Sequence, residues 1–116
     1  MKSGLNISEK RIGTVQVLKL SGYLDGHTFV DLERRLDQDL KGNLLRLVID
    51  LSELTYIASA GVGVFINAQH QARKLGGNLQ LVNPSPSVRE IFGILGLDSI
   101  FTIHPNLEQG IKIAQQ

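Results

Sequence analysis

The stretch Leu44-Leu45-Arg46-Leu47-Val48-Ile49-Asp50-Leu51 is a nearly continuous apolar run, interrupted only by Arg46 and Asp50. A short run rich in Leu, Val and Ile, preceded by Lys41-Gly42-Asn43, has the pattern of a strand buried on both faces, as in the interior of a parallel sheet. It reads as the centre of the sheet. Toward the N-terminus, residues 15–20 (VQVLKL) form a second strand ending at Ser21-Gly22. Asp25-Gly26 signals a turn, and Thr28 with Asp31 three residues on resembles a capping box. Phe29, Leu32, Leu36 and Leu40 then mark one face of a helix that Gly42-Asn43 closes.

Toward the C-terminus, Gly61, Phe65, Ala68, Ala72 and Leu75 recur at spacings of four and three, the stripe of a core-facing helix stopped by Gly76-Gly77. Residues 79–82 form a short strand, and Asn83-Pro84-Ser85-Pro86 connects it to a helix for which Ser87 and Glu90 supply a capping box. Val88, Ile91, Phe92 and Leu95 give that helix its apolar face, and Gly96 ends it. Residues 100–103 read as a last strand, and Leu107, Ile111 and Ala114 as a closing amphipathic helix. The alternation predicts an α/β fold in one domain over residues 1–116: a mostly parallel sheet with about four helices and an N-terminal strand antiparallel at one edge. Function in such sheets sits on loops leaving the carboxyl ends of strands, so the segments after Leu20 and Leu51 share the edge of interest.

Composition narrows the chemistry. The chain has 116 residues, 42% of them apolar and 20% charged, which suits one folded core and not a disordered segment. Its formal charge of +1 lacks the basic field of a nucleic-acid or anionic-membrane binder. The absence of Cys removes disulfides, thiolate catalysis and Cys-ligated metal sites, and is compatible with a cytoplasmic location. Residues 1–12 lack the hydrophobic region of a signal peptide, and no stretch approaches the roughly 20 apolar residues of a membrane-spanning helix.

Enzyme signatures fail one by one. Ala60-Gly61-Val62-Gly63 opens like a dinucleotide fingerprint, but Ile66 stands where the third Gly belongs. A nucleophile elbow at Ser59 needs Gly at the position of Ile57. No Gly-Lys-Ser/Thr is present for a Walker loop. His27, His70 and His104 are scattered, and His70 has Ile66 and Lys74 where a helical metal site wants ligands. A small hydrolase or nucleotide-binding enzyme is therefore disfavoured, with no catalytic residue, metal or cofactor implied.

The segment from Asp50 to Gly63 is a strand end, a loop and a helix start with Ser59 at the expected N-cap. Ser59 has two readings. It caps the helix through an amide hydrogen bond worth about 1 kcal/mol, or it carries a phosphate, which would bring roughly −1.5 to −2 charges onto unpaired helix amides and switch a protein interface.

This segment resembles the phosphorylation-site motif of the STAS-domain family of bacterial anti-sigma factor antagonists, in which an apolar strand and Asp-Leu-Ser precede Asp-Ser-Ser/Thr-Gly-Leu-Gly. Gly22-Tyr23-Leu24-Asp25-Gly26-His27-Thr28 resembles the family's Gly-x-Leu-Asp-x-x-Thr/Ser, and Asn83-Pro84-Ser85-Pro86-Ser87-Val88-Arg89 its later loop and helix start. The three patches occur in the family's order across nearly the whole chain. The resemblance implies a non-enzymatic module whose unmodified form binds an anti-sigma factor that is also an ATP-using serine kinase, freeing a sigma factor. Phosphorylation of Ser59 by that kinase ends the binding, and a metal-dependent serine phosphatase restores it. It further implies a partner-binding surface of Asp25, Ala58, Ser59, Ala60, Gly61 and Gly63; Asp25 otherwise reads as a turn residue. Ala58 replaces the family's Asp and Ala60 its Ser or Thr, so Ser59 is the one hydroxyl left in that tetrapeptide. These two alanines favour the alternative, an unswitched STAS subunit of a lipid-transport or stress-sensing assembly.

Overall fold

A computed structural model describes residues 4–116. In chain order the elements are β1 (Leu5–Ile12), β2 (Val15–Leu24), α1 (Phe29–Lys41), β3 (Arg46–Ile57), α2 (Ser59–Lys74), β4 (Asn78–Val82), α3 (Pro86–Leu95), a 3-10 turn (Leu97–Ser99), β5 (Ile103–His104) and α4 (Leu107–Ala114). The sheet order is β1-β2-β3-β4-β5, with β1 antiparallel to β2 and the other neighbours parallel. The apolar run around Val48 is the middle strand, and the antiparallel edge strand is present, both as the sequence predicts.

Side-chain alternation divides the sheet into two faces. On one, Leu18, Leu20, Leu47, Ile49, Leu79 and Leu81 form a single cluster with Leu32 and Leu36 of α1, Phe65 and Ala68 of α2, and Phe92 of α3. On the other, Val15, Val17, Val48 and Val82 meet Ala114 and the half-buried Leu107 and Ile111 of α4. Each fully buried Leu, Ile or Phe contributes about 1.5–3 kcal/mol relative to exposure, so the larger cluster carries most of the stability.

Several boundaries differ from the sequence reading. β3 does not end at Leu51 but runs six residues further, to Ile57. Its pairing with β2 shifts twice, between Lys19 and Ser21 and between Gly22 and Tyr23, each shift placing an extra residue on β3. The buried positions therefore follow Leu51, Leu54 and Ile57, a spacing of three that hides the strand from a search for alternation. The last strand shrinks to Ile103 and His104, because Gly96 takes φ +72 and turns the chain into the 3-10 segment that buries Leu97 and leaves Ile100 exposed. Leu75 and Leu95, assigned to core faces, are also exposed at their helix ends.

Capping differs too. Ser85, not Ser87, caps α3: its backbone is extended, its Oγ accepts from Val88 N, and Pro86 occupies the first helical position, where no amide is needed. Thr28 precedes α1 but its side chain does not cap it. That hydroxyl faces back toward the end of β2.

Candidate functional site

Because β2 and β3 are parallel, their carboxyl ends reach the same sheet edge, with Leu24 opposite Ile57. Two loops leave from there. In the β2–α1 turn, Asp25 Oδ1 accepts from the backbone amides of His27 at 2.9 Å and Thr28 at 3.0 Å. Reciprocally, Asp25 N donates to Thr28 Oγ1 at 2.9 Å, and that hydroxyl donates to the Tyr23 carbonyl at 2.8 Å. The His27 amide, followed by the Thr28 amide, holds the Asp25 carboxyl below its ordinary pKa, because both bonds favour the ionised form. Asp25 is thus a turn-forming residue in geometry, half-buried at the rim of the edge.

In the β3–α2 loop, Ala58 is extended at φ −104 and ψ 169 and occupies the N-cap position. Its N–H donates to the Leu24 carbonyl at 2.8 Å, and its own carbonyl accepts from Gly61 N at 2.9 Å. Ser59 is the first helical residue and not the cap. The cap position is thus held by a residue without a polar side chain, and α2 has no side-chain cap. The Ser59 hydroxyl is exposed and, among the described residues, makes no hydrogen bond. The first turn of α2 carries no acidic residue.

Gly61 is buried, and a Cβ there would lie 2.6 Å from Leu24 Cγ. Its smallness lets α2 seat on the Leu24 side chain. Gly63 faces open space and needs no such explanation. Ala60 is half-buried beside Gly61. The structure therefore gathers Asp25, Ala58, Ser59, Ala60 and Gly61 around the paired ends of β2 and β3, with Gly63 one turn along α2.

A third loop joins them. Ser85 N donates to the Leu51 carbonyl at 3.3 Å and Ser85 Oγ to the Leu54 carbonyl at 2.5 Å, tying the start of α3 to the irregular part of β3. Sequence reasoning missed Tyr23 and Tyr56, which pair in register at the same edge and are 53% and 46% exposed. The sequence signal for them was their position within the two motif segments, Gly22–Thr28 and Asp50–Gly63.

The chemistry available is that of a contact surface bearing exposed hydroxyls, that of Ser59 among them. Among the described residues, no side chain is hydrogen-bonded to Ser59 to accept its proton, as nucleophilic catalysis requires. His104 is buried with a ring nitrogen 2.8 Å from Gln80 Oε1, whereas His27 and His70 are exposed. Among the described residues no group of three or more His, Cys, Asp or Glu could hold a metal ion, and no helix is long and apolar enough to cross a membrane.

Comparison with known proteins adds the family. The STAS domain matches residues 6–110. BtrV of Bordetella bronchiseptica is 32% identical over 99 residues, covering 85% of this chain and 85% of BtrV. The anti-sigma-B factor antagonist of Listeria monocytogenes is 30% identical over 105 residues, 89% of this chain and 90% of the Listeria protein. Among solved structures, the anti-sigma factor antagonist SpoIIAA in its unphosphorylated form superposes with a TM-score of 0.78 at 21% identity, covering 95% of this chain and 96% of that one. The Bacillus cell fate determinant SpoIIAA in its phosphorylated form gives 0.68 at 21% identity, with coverage of 92% and 97%. At these identities the structural likeness shows the shared fold.

Proposed function

The chain belongs to the STAS-domain family, and from that premise we propose that it is an anti-sigma factor antagonist switched by phosphorylation at Ser59. In its unmodified form it binds an anti-sigma factor that is also a serine kinase, which frees a sigma factor. It contributes a surface to this exchange and turns over no substrate of its own, and the exchange takes place in the cytoplasm without contact to nucleic acid or insertion into a membrane. The observation that carries the reading is the Ser59 hydroxyl, exposed and, among the described residues, unbonded at the start of α2.

A surface built around Asp25, Ala58, Ser59, Ala60, Gly61 and Gly63 suits such a partner. Small side chains on both sides of Ser59 leave room for a kinase to reach the hydroxyl. A phosphate there brings about −1.5 to −2 charges to a surface that docks without them, so desolvation and repulsion then oppose the complex. A metal-dependent serine phosphatase restores the binding form. The Listeria antagonist supports the antagonist role, and the phosphorylated form of SpoIIAA supports compatibility of this fold with modification.

The test combines site-localised mass spectrometry on protein from its native cells with affinity measurements on the co-purifying partner. Phosphate is expected on Ser59, and Ser59→Asp is expected to weaken binding of the kinase about a hundredfold, the scale of a misplaced interfacial charge. A second reading, a constant subunit of a larger assembly, is favoured by Ala58 and Ala60, which remove a carboxylate and a hydroxyl from the motif. Equal binding by wild type and Ser59→Asp, with Ser59 unmodified under every growth condition, would replace the switch with that reading.

A further inference from the structure

Among the described residues no side-chain bond holds Ser59, so its placement is set by its neighbours. On its N-terminal side, Ala58 N–H is bonded to the Leu24 carbonyl at 2.8 Å. On its C-terminal side, Gly61 rests against the Leu24 side chain. One residue of β2 therefore locates both flanks of Ser59. The direction of the Leu24 carbonyl is fixed by the peptide plane it shares with the N–H of Asp25, since the two groups lie in one rigid unit. That N–H is bonded to Thr28 Oγ1 at 2.9 Å. The same hydroxyl donates to the Tyr23 carbonyl at 2.8 Å, which belongs to the preceding peptide group. Thr28 is 7% exposed, and it engages its hydroxyl in this arrangement instead of capping α1.

We infer that Thr28 is a positioning residue for Ser59, acting through the peptide group between Leu24 and Asp25. The unit is pinned from both ends, by Thr28 Oγ1 on its N–H and by Ala58 N–H on its carbonyl. Removing the hydroxyl leaves Asp25 N–H without its partner and frees the plane to rotate about the neighbouring backbone angles. The Leu24 carbonyl then no longer points steadily at Ala58, and the residue before Ser59 loses its fixed extended conformation. Its effect on modification rests on the reading of Ser59 given above. The link between Thr28 and Ala58 is a property of the free protein.

The experiment compares Thr28→Val, which keeps the side-chain shape without the hydroxyl, with Thr28→Ser, which restores the hydroxyl. Amide hydrogen exchange on the isolated protein is expected to speed at Ala58 about tenfold in Thr28→Val and to return to within about twofold of wild type in Thr28→Ser. Exchange at Val48 and Ile49, in the middle of β3, should stay unchanged. Uniform acceleration through β3, or an unchanged Ala58 in Thr28→Val, would overturn the inference, since the first describes general loss of stability and the second the absence of any link. The fraction of Ser59 phosphorylated in native cells, read by intact mass, is expected to fall several-fold in Thr28→Val and recover in Thr28→Ser. Wild-type protein that never carries phosphate overturns the modification reading alone, and the exchange data still decide the role of Thr28.

Discussion

Two serines stand at the starts of neighbouring helices on one sheet edge, and the molecule uses them in opposite ways. Ser85 precedes α3, accepts from Val88 N and donates to the Leu54 carbonyl. Ser59 opens α2, lies one residue inside the helix, and its side chain bonds to nothing among the described residues. The difference begins in the backbone: the extended residue is Ser85 itself before α3, but Ala58 before α2. A serine that occupies the cap position becomes part of the fold. A serine displaced by one residue keeps its hydroxyl available, while the main chain around Leu24 does the holding.

The largest stability change that probes this contrast is Ser85→Ala. It removes the cap and leaves the Leu54 carbonyl without that donor, and is expected to cost about 1–2 kcal/mol by denaturant unfolding. A loss near zero would erase the distinction between the two serines. Converting the α2 start to the α3 pattern is next: Ala58→Asp supplies a capping carboxylate at the positive end of the helix and is expected to stabilise the protein by about 0.5–1 kcal/mol. If Ala58→Asp destabilises, the start of α2 is not limited by the lack of a cap.

Asp25 contributes in a way that depends on pH. Its folded-state pKa is lowered by the His27 and Thr28 amides, so its stabilisation is present above the ordinary aspartate value and is lost as pH falls through the folded one. Asp25→Asn keeps an acceptor oxygen without the charge. Its stability deficit should be seen at neutral pH and should close on acidification, which thermal melts across the acid range would reveal; a deficit constant with pH would refute the charge-based account. The smallest change is expected from Ser59→Ala, within about 0.5 kcal/mol of wild type because no bond is lost. A larger loss would mean that the hydroxyl does structural work in solution.

Most of the fold was legible because its dominant force leaves a periodic trace. The run around Val48, the α1 face at Leu32 and Leu36, and the α2 stripe at Phe65 and Ala68 all lie in the main cluster or the sheet centre, where burial dictates sequence. What misled the reading was local. The outer half of β3 carries Glu53, Thr55 and Tyr56 on its exposed side, and two register shifts change its buried spacing from two to three. Ser59 was legible through its motif, but its place inside the helix depends on how Ala58 meets β2. The Thr28 link was illegible for the same reason, since it joins residues whose proximity depends on the pairing of two strand ends.

Those two shifts give the outer half of β3 slack in length. From Lys19 to Leu24 β2 advances five residues, while β3 advances seven, from Asp50 to Ile57, over the same length of sheet. Each extra residue is absorbed as a bulge, so Leu54 and Ile57 stay opposite Gly22 and Leu24 on the buried side while Tyr56 stays in solvent. Removing one residue at a bulge, Ser52 for instance, would restore plain alternation and leave Ile57 opposite Leu24. Single-residue deletions at the two bulges should therefore keep the fold, whereas one in the regular run from Arg46 to Asp50 should turn core side chains outward.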